Sequence, residues 1–215
     1  MVLLDFVNGI LSLMGEQPLA SSSGTLGQMV KNVAQTAINT VAQTVRPQAF
    51  EQIVSMSSTN SAYDVPVGSI PDNTIQIYSV FWKQGSNSPF GFRRMDSKPF
   101  EVLDTNFGYS LVGNQLYVSN LIARDNASPL AVSLHCLVAP TLPTADDADI
   151  GIPTLLIPAI QHTAASILLV SYVDDANAAS QHQRLAESMT TMLRLQLGVS
   201  RGRSYNIGGY GYDYR

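Results

Sequence analysis

Residues 75–82 read Ile75-Gln76-Ile77-Tyr78-Ser79-Val80-Phe81-Trp82, and here the hydrophobic pattern changes period. Ile75, Ile77 and Phe81 alternate with Tyr78, Val80 and Trp82, the two-residue repeat of a strand. FEVL at 100–103, LVGNQLYVS at 111–119 and LAVSLHCLV at 130–138 continue the strand signal. Gly113-Asn114 supplies the positive φ angles of a tight hairpin turn. Gly85–Gly91 and Asp104–Gly108 read as loops. The connections are short and hold no helices, which disfavours a parallel sheet. Residues 48–142 are therefore read as a small antiparallel β-domain.

Outward from this section the period is helical. Leu3, Val7, Ile10 and Met14 make one stripe, and Gly15 and Pro18 stop the helix. A second helix is expected from Leu26 to Arg46, buried along Met29, Val33, Ala37 or Ile38, Val41 and Val45, with Pro47 ending it. After the β-domain, Ile152, Leu155, Leu156, Ala159, Ile160, Thr163, Ala164 and Ile167 form a wide apolar face, with Pro158 forcing a kink or a late start. A fourth helix, about 174–198, has Asp174 and Asp175 at its beginning and Arg184 and Arg194 further along, in keeping with the helix dipole. The expected fold is α+β: a discontinuous helical bundle of N- and C-terminal helices with an inserted antiparallel β-domain and an extended C-terminal tail. Its parts are residues 1–47 and 143–200 (the bundle), 48–142 (the β-domain) and 201–215 (the tail).

Of the 215 residues 45% are hydrophobic and only 13% charged, so uncharged polar residues cover the outside. That suits a subunit surrounded by others, because charge is depleted at interface centres. The net charge of −4 argues against gripping phosphate backbones. Residues 201–215 nevertheless carry Arg201, Arg203 and Arg215 against Asp213 alone, leaving the body at −6. The single cysteine, Cys136, excludes an internal disulfide and points to a reducing site of synthesis. The opening residues lack the basic region of a secretory signal. The most apolar stretch, 155–170, is broken by Pro158, Gln161 and His162, so a soluble protein is expected.

Catalytic patterns are sparse. His135 and Cys136 are neighbours in a strand and point to opposite faces. His162 and His182 fall on different helices without a ligand partner at metal spacing. Asp146, Asp147 and Asp149 lack the order of a calcium loop and read as helix N-capping. Gly208-Gly209-Tyr210-Gly211 has no preceding strand and no following helix, so it is no phosphate cradle. Arg93-Arg94 reads as a solvated loop pair. No enzyme, metal or cofactor is expected. The tail RGRSYNIGGYGYDYR concentrates four of the nine tyrosines with three arginines. Tyr and Arg are enriched where binding energy concentrates, so Arg201, Arg203, Tyr205, Tyr210, Tyr212, Tyr214 and Arg215 are the candidate partner-binding residues.

The opening LLDFVNGILSLMGEQPLASSSG, residues 3–24, resembles the head-to-tail adaptor proteins of short-tailed bacteriophages, also called the tail tubular protein A family. The matching residues are Val7-Asn8, Ile10-Leu11, Gly15-Glu16 and Pro18, and the order of helices, β-insert with Gly-Asn hairpin, and closing helix pair agrees with that layout. Where the family often has Arg-Gly-Trp, this chain has Arg46-Pro47-Gln48-Ala49-Phe50. The resemblance implies a structural virion protein: a ring, typically a dodecamer, made in the host cytoplasm. It would join the portal protein to the tail nozzle or tube at the virion neck and pass DNA through its channel without sequence-specific binding. Alternatives from the same reading are a neck or tail-completion protein of a long-tailed phage, an unrecognised hydrolase, and a soluble peptide- or sugar-binding module using Trp82, Phe90 and Phe92.

Overall fold

The computed structural model describes residues 1–58, 65–82, 90–94, 108–118 and 130–198, and it is α+β. The described residues divide into two compact units: Met1–Phe50 with 139–198, and Glu51–Val138.

In the first unit, α1 (Leu3–Leu13) buries Leu3, Phe6, Val7, Ile10 and Leu11. Met14 lies past its end rather than in its stripe. There the Gly15 N–H donates to the Ser12 carbonyl and the Glu16 N–H to the Leu11 carbonyl, with Gly15 at φ +76°. This Schellman closure explains the glycine. The other end of α1 is capped by backbone: the N–H groups of Leu3 and Leu4 donate to the carbonyls of Ala148 and Asp146.

Helix α2 (Thr25–Val45) buries Val30, Ala34, Ala37, Ile38, Val41, Ala42 and Val45. The expected line is therefore rotated, with Met29 and Val33 only half-buried. Small alanines take the inner positions because they let helices approach closely. Arg46 closes α2 in the left-handed conformation, φ 50°, donating its N–H to the Ala42 carbonyl.

A 3₁₀ turn at Thr154–Leu156 leads into α3 (Ile157–Leu168), with Pro158 in its first turn, so the late start is what occurs. The tighter turn shifts the phase, and Leu155, expected inside, is exposed. A π-helical turn, Leu169–Val173, extends α3 and ends at Asp174 in the left-handed region. The combined segment Thr154–Val173 is long and apolar enough to cross a membrane by length and composition, contrary to the expectation above. Less than half of it, 44%, is buried inside the unit, where α3 packs on α1, α2 and α4 (Ala176–Gly198), and Leu155, Val170, Tyr172 and Val173 are exposed. Of the two acids expected to open the last helix, Asp175 is the one that caps it, accepting from the Ala178 N–H at 2.9 Å.

The second unit is a seven-stranded sheet. Its strands are β1 (Glu51–Ser58), β2 (Gly68–Ser69), β3 (Thr74–Trp82), β4 (Phe90–Arg94), β5 (Gly108–Val112), β6 (Gln115–Val118) and β7 (Leu130–Val138), in the spatial order β1-β7-β3-β4-β5-β6-β2. Every pairing is antiparallel except one, the two-residue parallel pairing of β4 with β5. That pairing departs from the wholly antiparallel expectation. It also places Phe90 and Gly91 and the Arg93-Arg94 pair in a strand, where loops were expected. FEVL at 100–103 lies outside the described residues. The β5–β6 hairpin turns where expected, but only Gly113 has positive φ, +61°. One such angle at the first central position is the pattern of a II′ turn.

The core of this unit holds Met56, Val80, Tyr109, Leu116, Val118 and alternate residues of β7: Val132, Leu134, Cys136 and Val138. Ile77 packs on it together with Val80, although strict alternation would put them on opposite faces. The cause is a register shift between Ile77 and Ser79 against β7. A bulge there resets the phase of the strand.

Candidate functional site

Between α2, α3 and α4 runs a solvent-open groove of about 550 Å³. Its walls hold Thr40, Thr44, Thr163, Ser166 and Thr190 beside Val41, Ile167, Val170 and the small Ala179 and Ala186. These five hydroxyls are engaged by their own helices, and Ser171 also lines the groove. Thr40 donates to the Thr36 carbonyl and Thr44 to the Thr40 carbonyl, both at 2.9 Å. Thr163 donates to Ala159 and Ser166 to Thr163, each at 2.8 Å, and Thr190 to Glu187 at 3.0 Å. The groove therefore presents methyl groups and satisfied polar atoms. Its one charged side chain, Glu187, accepts from the Gln183 amide at 3.0 Å.

The outer side of α4 adds to this surface. Ala179, Ala186 and Leu193 recur at seven-residue spacing and are buried. Leu185, Met192 and Leu195 sit on another side of the same helix and are 46%, 59% and 67% exposed. Val170, Tyr172 and Val173 on the π-helical turn are exposed as well. Single exposed apolar residues are ordinary, and here several recur along one helix and the turn before it. A helical wheel of residues 176–198 carries this signal, which lay unused once the helix had been assigned to a bundle.

Packing of α3 on α4 also brings together two of the three histidines. His162 Nδ1 and His182 Nδ1 are 2.8 Å apart. The ring centroids are 5.0 Å apart with planes at 28°. That separation is close to the nitrogen–nitrogen distance plus two ring radii, so the rings meet edge to edge and share an N–H···N hydrogen bond. Burial, and then the neighbouring His182, hold His162 below its usual value of 6.5. Sequence placed these histidines on different helices without foreseeing that they would face one another.

In the second unit, His135 and Cys136 do lie on opposite faces. His135 Nε2 is 3.4 Å from the Glu51 carboxylate and its ring is 5.0 Å from that of Tyr78, whereas Cys136 is in the core. Trp82 pairs with Phe90 and Val80 with Phe92 across β3 and β4. The acidic cluster is not a cap for the following helix, as had been expected. Asp146 holds the loop before α2, accepting from the Ser22 N–H at 3.1 Å, from the Ser21 hydroxyl at 2.7 Å, and from the Ser22 hydroxyl. Asp149 accepts from the terminal amine and from the Gly151 N–H, each at 3.3 Å. Among the described residues no three His, Cys, Asp or Glu side chains gather as a metal site would require. Arg201, Arg203, Tyr205, Tyr210, Tyr212, Tyr214 and Arg215 lie outside the described residues.

Comparison with models of known protein families and with curated proteins gives no match.

Proposed function

We propose that this chain is a structural virion subunit, a head-to-tail adaptor whose copies close into a ring between the portal and the tail nozzle or tube of a bacteriophage. The observation that supports this best is the apolar line Leu185, Met192 and Leu195 on α4, together with the exposed Val170, Tyr172 and Val173 on the turn that precedes the helix. A neighbouring copy seated on that line would remove it from water without placing charge in the interface centre. Contacts of this head-to-tail kind repeat with a fixed rotation and close into a ring. The resemblance of residues 3–24 to the adaptor family supplies the copy number, about twelve, and the neighbours above and below.

In this reading the four helices form the ring-building bundle and the β-domain faces the next tail component. The tail, with Tyr205, Tyr210, Tyr212 and Tyr214 between Arg201 and Arg215, becomes ordered on the portal or on a neighbouring subunit. The body's charge of −6 lets DNA slide through the channel, since few cations are available to displace phosphate counterions.

The test is native mass spectrometry of the protein alone and mixed with the intact portal ring of its own virion. The expected result is portal plus about twelve times 23.2 kDa. Persistence of the free monomer beside an intact portal overturns the reading.

A further inference from the structure

We propose that His162 and His182 are a proton-sharing pair that makes the seam between α3 and α4 sensitive to pH: one shared proton joins the rings, and a second drives them apart. The argument starts from the geometry. With the two Nδ1 atoms 2.8 Å apart and the rings edge to edge, only one hydrogen fits between them. The neutral pair meets this with one N–H donor and one bare nitrogen acceptor. A first added proton can go to an outer nitrogen and leave the contact in place as a charge-assisted bond. A second makes both inner nitrogens donors and puts two like charges at contact distance, so the rings must separate.

Among the described residues, His182 is the charged neighbour that bears on His162. The elements packed against α3 carry Asp5 on α1, Lys31 on α2, and Arg184, Glu187 and Arg194 on α4, with Tyr172 on the π-helical turn. None of these acts on His162, whose electrostatic neighbour is His182 alone.

The direction of the pH effect follows by linkage. His162 in the folded chain takes its proton below 6.5, the ordinary value it has when unfolded. As pH falls through 6.5 the unfolded chain therefore binds the proton first, and folding stability declines. The stability is fully present above 6.5, and its loss is complete once pH is below the depressed folded value.

The experiment uses the full chain and nitrogen-15 NMR of the imidazole rings from about pH 8 to 4.5, with His135 as internal comparison. The expected result is coupled titration of His162 and His182 in two steps, the second well below that of an ordinary histidine. Independent single-step titration of both overturns the proposal. A second arm follows thermal unfolding of the wild type and His182→Gln between about pH 7.5 and 5. Each unit by which the second step is depressed should lower the wild-type midpoint by about 3–5 °C relative to the variant. An equal loss in the two proteins also overturns it. Neither arm depends on ring assembly, and the NMR arm needs no variant to fold.

Discussion

Gly27→Ala is the substitution with the most sharply defined cost. A Cβ at this position would lie 2.5 Å from the Ser22 carbonyl oxygen and 2.7 Å from both its carbonyl carbon and its Cα. These are backbone atoms, and no rotamer change moves them away. Ser22 is fully buried and held by Asp146 through its N–H and its hydroxyl. Either the start of α2 shifts or Ser22 leaves the carboxylate. Overpacking of this kind costs about 1–3 kcal/mol. Leaving a buried hydrogen-bonding group unmatched adds about 1–3 kcal/mol. The better helix propensity of alanine returns about 1 kcal/mol. The net expectation is a loss of about 1–5 kcal/mol, and its centre, about 3 kcal/mol, is equivalent to about 6–12 °C in the unfolding midpoint at this chain length. Urea unfolding followed by circular dichroism measures it, with Gly24→Ala as a steric control, because a Cβ there meets nothing within 4 Å and its cost is confined to the N-cap preference at the start of α2. If Gly27→Ala is as stable as the wild type, the fixed position of the serine loop is refuted.

Two further outcomes follow from the same kind of reading. The Asp146 carboxylate is held below its ordinary 3.8 by the Ser22 and Ser21 hydroxyls, so its contribution to stability is present above pH 3.8 and is lost as pH falls further; Asp146→Ala should lower the midpoint at neutral pH and flatten that acid limb of a melting series. Burial pushes the Cys136 thiol above its usual 9.0, against a smaller opposing effect of the Thr74 side chain, so a thiol reagent at pH 8 should label it only as fast as the sheet opens, and labelling at the rate of a free thiol would contradict its place in the core.

How far the sequence could be read depended on whether a feature was local. Gly15, Pro47 and Pro158 mark helix ends through φ and the missing N–H, which act within a turn, and each stands where its chemistry requires. The β3 and β7 strands likewise declared themselves by alternation. β1 did not: Glu51–Ser58 is half serine and glutamine, and it becomes a strand through its antiparallel partner β7, far along the chain. The face of α2 was misjudged for a similar reason. Ala37, Ile38, Val41 and Val45 are buried as expected, but hydrophobicity favours Met29 and Val33 where close packing of helices rewards Val30, Ala34 and Ala42, a preference that exists only once the neighbouring helix is in place. The contact of His162 with His182 joins residues twenty apart and depends on how α3 seats against α4. The tail residues proposed for partner binding rest on composition alone.

Under the proposed function, the two sides of α4 would separate folding from assembly. Its buried line consists of Ala179, Ala186 and Leu193, so the helix anchors itself to its unit mostly through small residues. Its larger apolar side chains, Leu185, Met192 and Leu195, face outward, the reverse of what a helix selected only for an isolated fold would show. A charge on the outer line should then leave the fold nearly intact, because exposed substitutions away from caps and cores usually change stability by about 0.5 kcal/mol or less. Leu195→Glu is accordingly expected to melt like the wild type and to fail in ring formation with the portal. Ala186→Glu places a carboxylate on the buried side and is expected to unfold the helical unit. If Leu195→Glu assembles as well as the wild type, the outer line is not the ring contact, and the next candidate is the Thr40–Thr190 groove, probed by Thr44→Arg in the same assay.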